Sequence, residues 1–298
     1  MSHPPVRSRF TLLLLGILLA APLASAQWDS AALEPVSSGP DFDMLGRRAL
    51  GVDDWGTLHA IYQRGVGEEQ VLNYVSKPFG GTWSAPEVIG APGTYPGTGW
   101  LEVRKETGEP YVVFYDSHAL TLGIRRSGGW EFHSLETPPD VGVGKPAMTI
   151  DSAGLAHVAM LATLKDPLQW QIAYGYWDGS PDFHFQILDK SFVPHHGLFA
   201  QPDIVARPDG SVAIDYHHLS MQSGQILIAV ADNNRLGGLG WHTELVDVPG
   251  VILYPESLEI GPDGALHLAF HTNIELGADH HVYYAVREGK RFGDAEEI

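Results

Sequence analysis

Two histidine pairs, His195-His196 and His217-His218, flank a turn signal at Arg207-Pro208-Asp209-Gly210. Proline presets φ at the first corner and glycine accepts φ > 0, so residues 192–219 predict a hairpin whose open end carries all four imidazoles. Imidazole suits proton transfer near neutral pH and the binding of zinc or copper. Asp215 stands two residues before His217, and strand alternation puts both on one face. A carboxylate behind an imidazole can orient a general base or fix the ring of a metal ligand. The same pair can equally be a satisfied structural contact, since buried polar groups are normally hydrogen-bonded.

The elements that must position these residues are repeats. Aligned on the turn glycine, the chain contains five copies of one unit, around Gly56, Gly108, Gly154, Gly210 and Gly264, spaced 46 to 56 residues apart. A short apolar strand precedes each glycine and an alternating strand follows it. A third strand, a glycine-rich turn and a fourth strand, commonly opened by an aromatic, complete the unit. Four short strands per unit without helical periodicity predict an all-β fold, a β-propeller of five blades with four antiparallel strands each. The expected blades span about 41–92, 94–138, 143–190, 198–248 and 251–298. Residues 27–36 read as a closing outer strand, and the last eight residues fit the same slot, so N- and C-terminal strands close the ring.

The repeats act as internal controls. Three residues after the glycine, His59, His157 and His267 recur in three units, which points to an architectural role. Six residues after it, Tyr62, Phe114, Met160, Tyr216 and Phe270 form a stripe expected to pack between blades. Five residues after it, Asp215 replaces Ile61, Val113, Ala159 and Ala269. A buried carboxylate is costly unless paired, so this departure marks Asp215 as a functional candidate.

Residues 1–26 read as a secretory signal peptide: Arg7 and Arg9, an apolar run from Phe10 to Leu19, and Ala24-Ser25-Ala26 for cleavage. The apolar run is too short to span a bilayer and no later one is longer, so membrane insertion is not expected. The chain has no cysteine, which excludes disulfides, a thiol nucleophile and a Cys-ligated zinc. Its formal charge of -18 becomes about -20 once Arg7 and Arg9 leave (-18 - 2), and that field disfavours nucleic acid as a partner.

In a propeller the loops between second and third strands and those between blades emerge on one face, and the turn glycines lie on the other. His118, His195, His196, His217, His218, His271, His280 and His281 all map to the loop face, eight of the fifteen histidines. Tyr115, Tyr216, Arg64, Lys145 and Tyr254 accompany them, and such loops are where binding and catalytic residues gather. There is no nucleophile elbow, P-loop or dinucleotide-binding glycine pattern.

Strand, D-x-x-G turn, alternating strand and aromatic fourth strand together resemble the sialidase-like (BNR-type) propeller repeats over nearly the whole mature chain. Ser76-Lys77-Pro78-Phe79-Gly80-Gly81-Thr82-Trp83 is similar to the Asp-box of those families but lacks its aspartate. Sialidase activity itself is disfavoured, because the loop face offers only Arg64 and Arg47 or Arg48 in place of an arginine cluster. The segment 193–210 is also similar to segments of propeller polysaccharide lyases of the ulvan lyase type, which the resemblance implies would use His and Tyr.

Three functions compete. The first is cleavage of an extracellular polysaccharide or glycoconjugate, by lyase or hydrolytic chemistry. In a lyase, His217 or His196 would be the base, Tyr115 or Tyr216 the acid, and Arg64 or Lys145 the cation on a uronate carboxyl, with Asp215 behind His217. His118, His195, His218, Tyr216, Lys145 and Tyr254 would line the binding surface. The second is non-catalytic recognition of a glycan or protein. The third is a divalent metal site (zinc, copper or calcium) on His217, His271 and His281.

Overall fold

The computed structural model describes residues 42–43, 48–64, 71–90, 99–116, 119–165, 168–188, 202–219, 226–233, 240–246, 251–252, 257–273, 280–289 and 291–298. These form five antiparallel sheets, three of four strands, one of five and one of six, arranged as the blades of a β-propeller. Blade 1 is built on strands Leu58–Arg64 and Val71–Lys77, and blade 2 runs Trp100–Arg104, Glu109–Asp116, Ala119–Arg126 and Gly129–Leu135. Blade 3 runs Val141–Ile150, Ala156–Lys165, Leu168–Trp177 and His184–Ile187. Blade 4 runs Asp203–Ala206, Val212–Leu219, Ile226–Asn233 and Trp241–Val246, and blade 5 centres on Leu266–Asn273 and His280–Glu288. Among the described residues no helix is long and apolar enough to cross a membrane.

The turn glycines do what their positions demand. All five carry φ between 65° and 86°, a left-handed conformation that β-carbon sterics make unfavourable for other residues. In blade 5 the C-terminal residues supply the outer strand: Glu296 and Glu297 pair with Tyr284 and Tyr283. Residues 1–26 and 27–36 lie outside the described residues.

Apolar side chains from facing blades make the core. Trp100, Val113, Met160, Tyr174, Ile214 and Tyr216 belong to one cluster running from blade 2 to blade 4. A second joins Val205, Ala213 and Val230 of blade 4 to Leu258, Leu268 and Phe270 of blade 5. The stripe of Tyr62, Phe114, Met160, Tyr216 and Phe270 is buried throughout.

The recurring histidines are architectural. His59 Nδ1 and His157 Nδ1 each lie 2.7 Å from a third-strand tyrosine hydroxyl, Tyr74 and Tyr174, and His267 contacts Tyr284 in the same way. On the other side of the ring, Nε2 of His59 and of His157 is 3.4 Å from the turn carboxylates of Asp53 and Asp151. Burial alone would raise the Asp53 carboxyl, but backbone N–H groups of Thr57 and Trp55 and the His59 ring hold it below the usual range. In blade 5, Gly261 occupies the aspartate position. A β-carbon there would sit 2.3 Å from His267 Nε2, and Asp263 approaches the ring instead.

Candidate functional site

The head of the blade 4 hairpin is where the sequence concentrates its chemistry. Asp215 is fully buried and His217 is 3 % exposed, and their strand alternates so that both face blade 5. Asp203, the cross-strand partner of Asp215, shares that face. Asp215 Oδ1 accepts the backbone N–H of Asp203 at 2.9 Å. Asp203 Oδ1 accepts the N–H of Ile204 at 2.7 Å and its Oδ2 that of Leu258 in blade 5 at 3.2 Å. The two carboxylates therefore tie second strand to inner strand and blade 4 to blade 5.

Arg48 completes the arrangement from blade 1. Its backbone is left-handed (φ 50°), and its side chain reaches inner strands of three other blades. Nε is 3.7 Å from Asp203 Oδ1, Nη1 3.4 Å from Glu102 Oε2 and Nη2 2.6 Å from Glu259 Oε1. The guanidinium also lies 5.6 Å from the Trp100 ring centroid, within cation–π range. Burial works against its charge, but Asp203, Glu102 and Glu259 more than offset this and raise its pKa. Arg48 thus fills the axis as the cation of an acidic ring.

Glu102 carries the cost of that crowding. Burial first, then the nearby Glu259 and Asp203, raise its carboxyl to about 7 despite Arg48. Between roughly pH 4.5 and 7 the folded protein holds a proton that the unfolded chain has released, so stability falls as pH rises through that window and stays lower above it. Glu102→Gln keeps the neutral shape. It is expected to be neutral near pH 4 and to stabilise by up to about 3 kcal/mol at pH 8, read from denaturant melts at the two pH values. A pH-independent difference would count against this account.

Lys145 sits at a bulge in the inner strand of blade 3, half-buried and left-handed (φ 50°), with its ammonium pushed down by burial. Tyr115 is half-buried near the loop end of the second strand of blade 2, and Arg64 is exposed at the corresponding end in blade 1. Tyr216 alternates with Asp215 and His217, so it points into the core between blades 3 and 4 at 2 % exposure. Packing, rather than a binding surface, is its environment.

The histidine trio is not assembled. His281 pairs opposite Thr272, so it shares a face with Thr272 and is reversed relative to His271. Its Nδ1 is 2.5 Å from Glu297 Oε1. Among the described residues no group of three or more His, Asp or Glu side chains could hold a metal ion. His118, His195, His196 and Tyr254 lie outside the described residues, as does the side chain of His218. Spacing did not reveal Arg48, Asp203, Glu102 and Glu259 as one group, because their contacts join residues up to 211 apart in sequence.

No family model matches the chain, and no curated protein matches it. Solved structures do. An α-L-arabinanase from Penicillium chrysogenum, complexed with arabinobiose, is similar at TM-score 0.58 and 11% identity, covering 89% of this chain and 83% of its own. A polysaccharide lyase described as an ulvan lyase gives 0.56 and 13%, with 87% and 72% covered. A protein of unknown function from Dyadobacter fermentans gives 0.54 and 14%, with 84% and 83% covered. At these identities the likeness concerns the fold, and the class it defines with the sheet topology is a five-bladed β-propeller.

Proposed function

We propose that the protein is an exported enzyme that cleaves an extracellular polysaccharide at the loop face of the propeller, by lyase chemistry on a uronate-containing chain. The observation that carries this reading is Lys145: a lysine held left-handed at a bulge within an inner strand, its charge disfavoured by partial burial. Non-glycine residues adopt that backbone at a cost, and such strain gathers at ligand-binding positions. A partly desolvated ammonium gains most when a carboxylate arrives, which is what neutralising a uronate carboxyl during proton abstraction from the adjacent carbon requires.

In this reading Lys145 takes the carboxyl, His217 accepts the proton with Asp215 behind it, and Tyr115 protonates the leaving oxygen. Arg64, His118, His195, His196, His218 and Tyr254 contribute to the surrounding surface. The similarity in fold to an ulvan lyase and an arabinanase adds support for a glycan substrate.

The test is to incubate the mature protein with ulvan, alginate and pectate and to follow both ultraviolet absorbance of unsaturated products and new reducing ends. Lys145→Ala is expected to lower kcat/KM by about 100-fold or more while the fold is retained. Reducing ends without unsaturation would convert the reading to hydrolysis. Binding without products would favour a recognition module, and a Lys145→Ala protein with unchanged turnover would remove the assignment of the site.

A further inference from the structure

On the turn side of Arg48 the axis opens into a cavity of about 550 Å³ walled by the inner strands of all five blades. That volume is in the range of small-molecule sites. Three guanidinium groups reach its wall, and two are committed. Arg48 is held by Glu259 at 2.6 Å, and Arg207 makes a two-pronged contact with Asp232, both distances 3.0 Å.

Arg104 is different. It is half-buried and hydrogen-bonds the Tyr111 side chain, but among the described residues no carboxylate lies within ion-pair distance, and its Nε is buried without a hydrogen-bond partner. A buried donor left unmet costs about 1–3 kcal/mol, and more when it is charged. Its guanidinium packs on the neighbouring turn, with Nη1 2.9 Å from where a β-carbon on Gly154 would stand. The absence of a side chain at Gly154 leaves room for the planar group. Lys105 is exposed beside it in the same wall.

Blade 1 gives the cavity an apolar part of its wall. Leu50 and Val52 line it and remain 60% and 48% exposed. Of the wall's acids, Asp151 accepts N–H groups of Ala153 and Leu155, Glu102 and Glu259 face Arg48, and Glu106 is exposed to solvent. A ligand that suits both walls has a planar anion for a guanidinium fork and a C–H-rich ring for the aliphatic side.

We propose that this cavity is a second binding site, on the face opposite the loops, for a small sugar acid whose carboxylate pairs with Arg104 and whose ring lies against Leu50 and Val52. It goes beyond the proposed cleavage reaction and does not depend on it, because none of its residues belongs to the loop face.

Calorimetric titration of the mature protein with D-glucuronate, and with glucose as the uncharged counterpart, tests the site. Saturable binding of glucuronate is expected, with glucose weaker by about tenfold or more, the effect of losing one charge-assisted contact. Arg104→Gln is expected to weaken glucuronate to the same extent, both in the wild type and in a Lys145→Ala background that removes the loop-face cation. Val52→Glu, at an exposed position where folding is not at risk, puts a like charge on the wall and is expected to act like Arg104→Gln. Absence of saturable glucuronate binding, equal binding of glucose, or wild-type affinity in a folded Val52→Glu protein would each overturn the proposal. Loss in Lys145→Ala alone would assign the binding to the loop face.

Discussion

Replacing Asp203 by alanine is expected to destabilise the protein by about 3–5 kcal/mol, the range for removing one partner of a buried charged contact. The carboxylate is 2 % exposed and each oxygen is in use. Its loss leaves the N–H of Leu258 without its acceptor at the boundary of blades 4 and 5. It also removes the anion next to Arg48 Nε, 3.7 Å away. Arg48 keeps Glu102 and Glu259, but Glu102 holds a proton over much of the neutral range and Glu259 is exposed. The measurement is a urea or thermal melt, in which a loss of this size in a domain this large lowers Tm by roughly 10 °C. Asp203→Asn should fall between, since an amide oxygen can still accept the Leu258 N–H but brings no charge. Glu259→Ala is the control: its side chain is 61% exposed, and exposed ion pairs contribute about 0–1 kcal/mol. A Glu259→Ala protein as destabilised as Asp203→Ala would mean that charge balance at the axis, rather than the interblade hydrogen bond, sets the effect.

Asp215 illustrates how far the sequence reaches. Its departure from the apolar register of its sister blades is legible from spacing alone, and so is its place on the His217 face. Its acceptor role is another matter: the backbone N–H of Asp203 lies across a strand pair whose register no local pattern gives. The turn glycines, the buried aromatic stripe and the structural histidines were readable because each belongs to a repeat, where five copies separate the common from the particular. Arg48 was not. Its sequence neighbourhood suggests a loop-face cation, but a left-handed φ of 50° at the start of the inner strand turns the side chain along the axis instead. Tyr216 shows the converse, a residue whose register predicts core packing even where its hydroxyl invites a chemical role. The cavity at the turn end is not legible in the sequence for a similar reason: its walls come from inner strands of five different blades, and only convergence in space makes Arg104 conspicuous.

Asp232→Ala is expected to be at least as damaging as Asp203→Ala, about 4–5 kcal/mol, because it uncovers two cations rather than one. In blades 1 and 3 the turn begins with Asp53 or Asp151, which meets His59 or His157. In blade 4 the turn position is Arg207 and the histidine is replaced by Ala213, whose cross-strand partner is Asp232. The charges are exchanged: the cation now comes from the turn and the carboxylate from the third strand. Asp232 is 3 % exposed and accepts both Arg207 prongs at 3.0 Å and Arg287 Nη1 of blade 5 at 2.5 Å. Glu244, 3.2 Å from Arg287 Nε, cannot take over fully, since burial raises its own carboxyl. Arg207→Met and Arg287→Met in the Asp232→Ala background should each restore part of the stability, because each removes one uncompensated buried charge. The triple replacement Arg207→Met, Asp232→Leu, Arg287→Met should approach the wild type, as well-packed apolar groups commonly do in place of a buried ionic network. If the two arginine replacements deepen the loss instead, the guanidinium stems rather than their charges hold blades 4 and 5 together, and the network stabilises through packing.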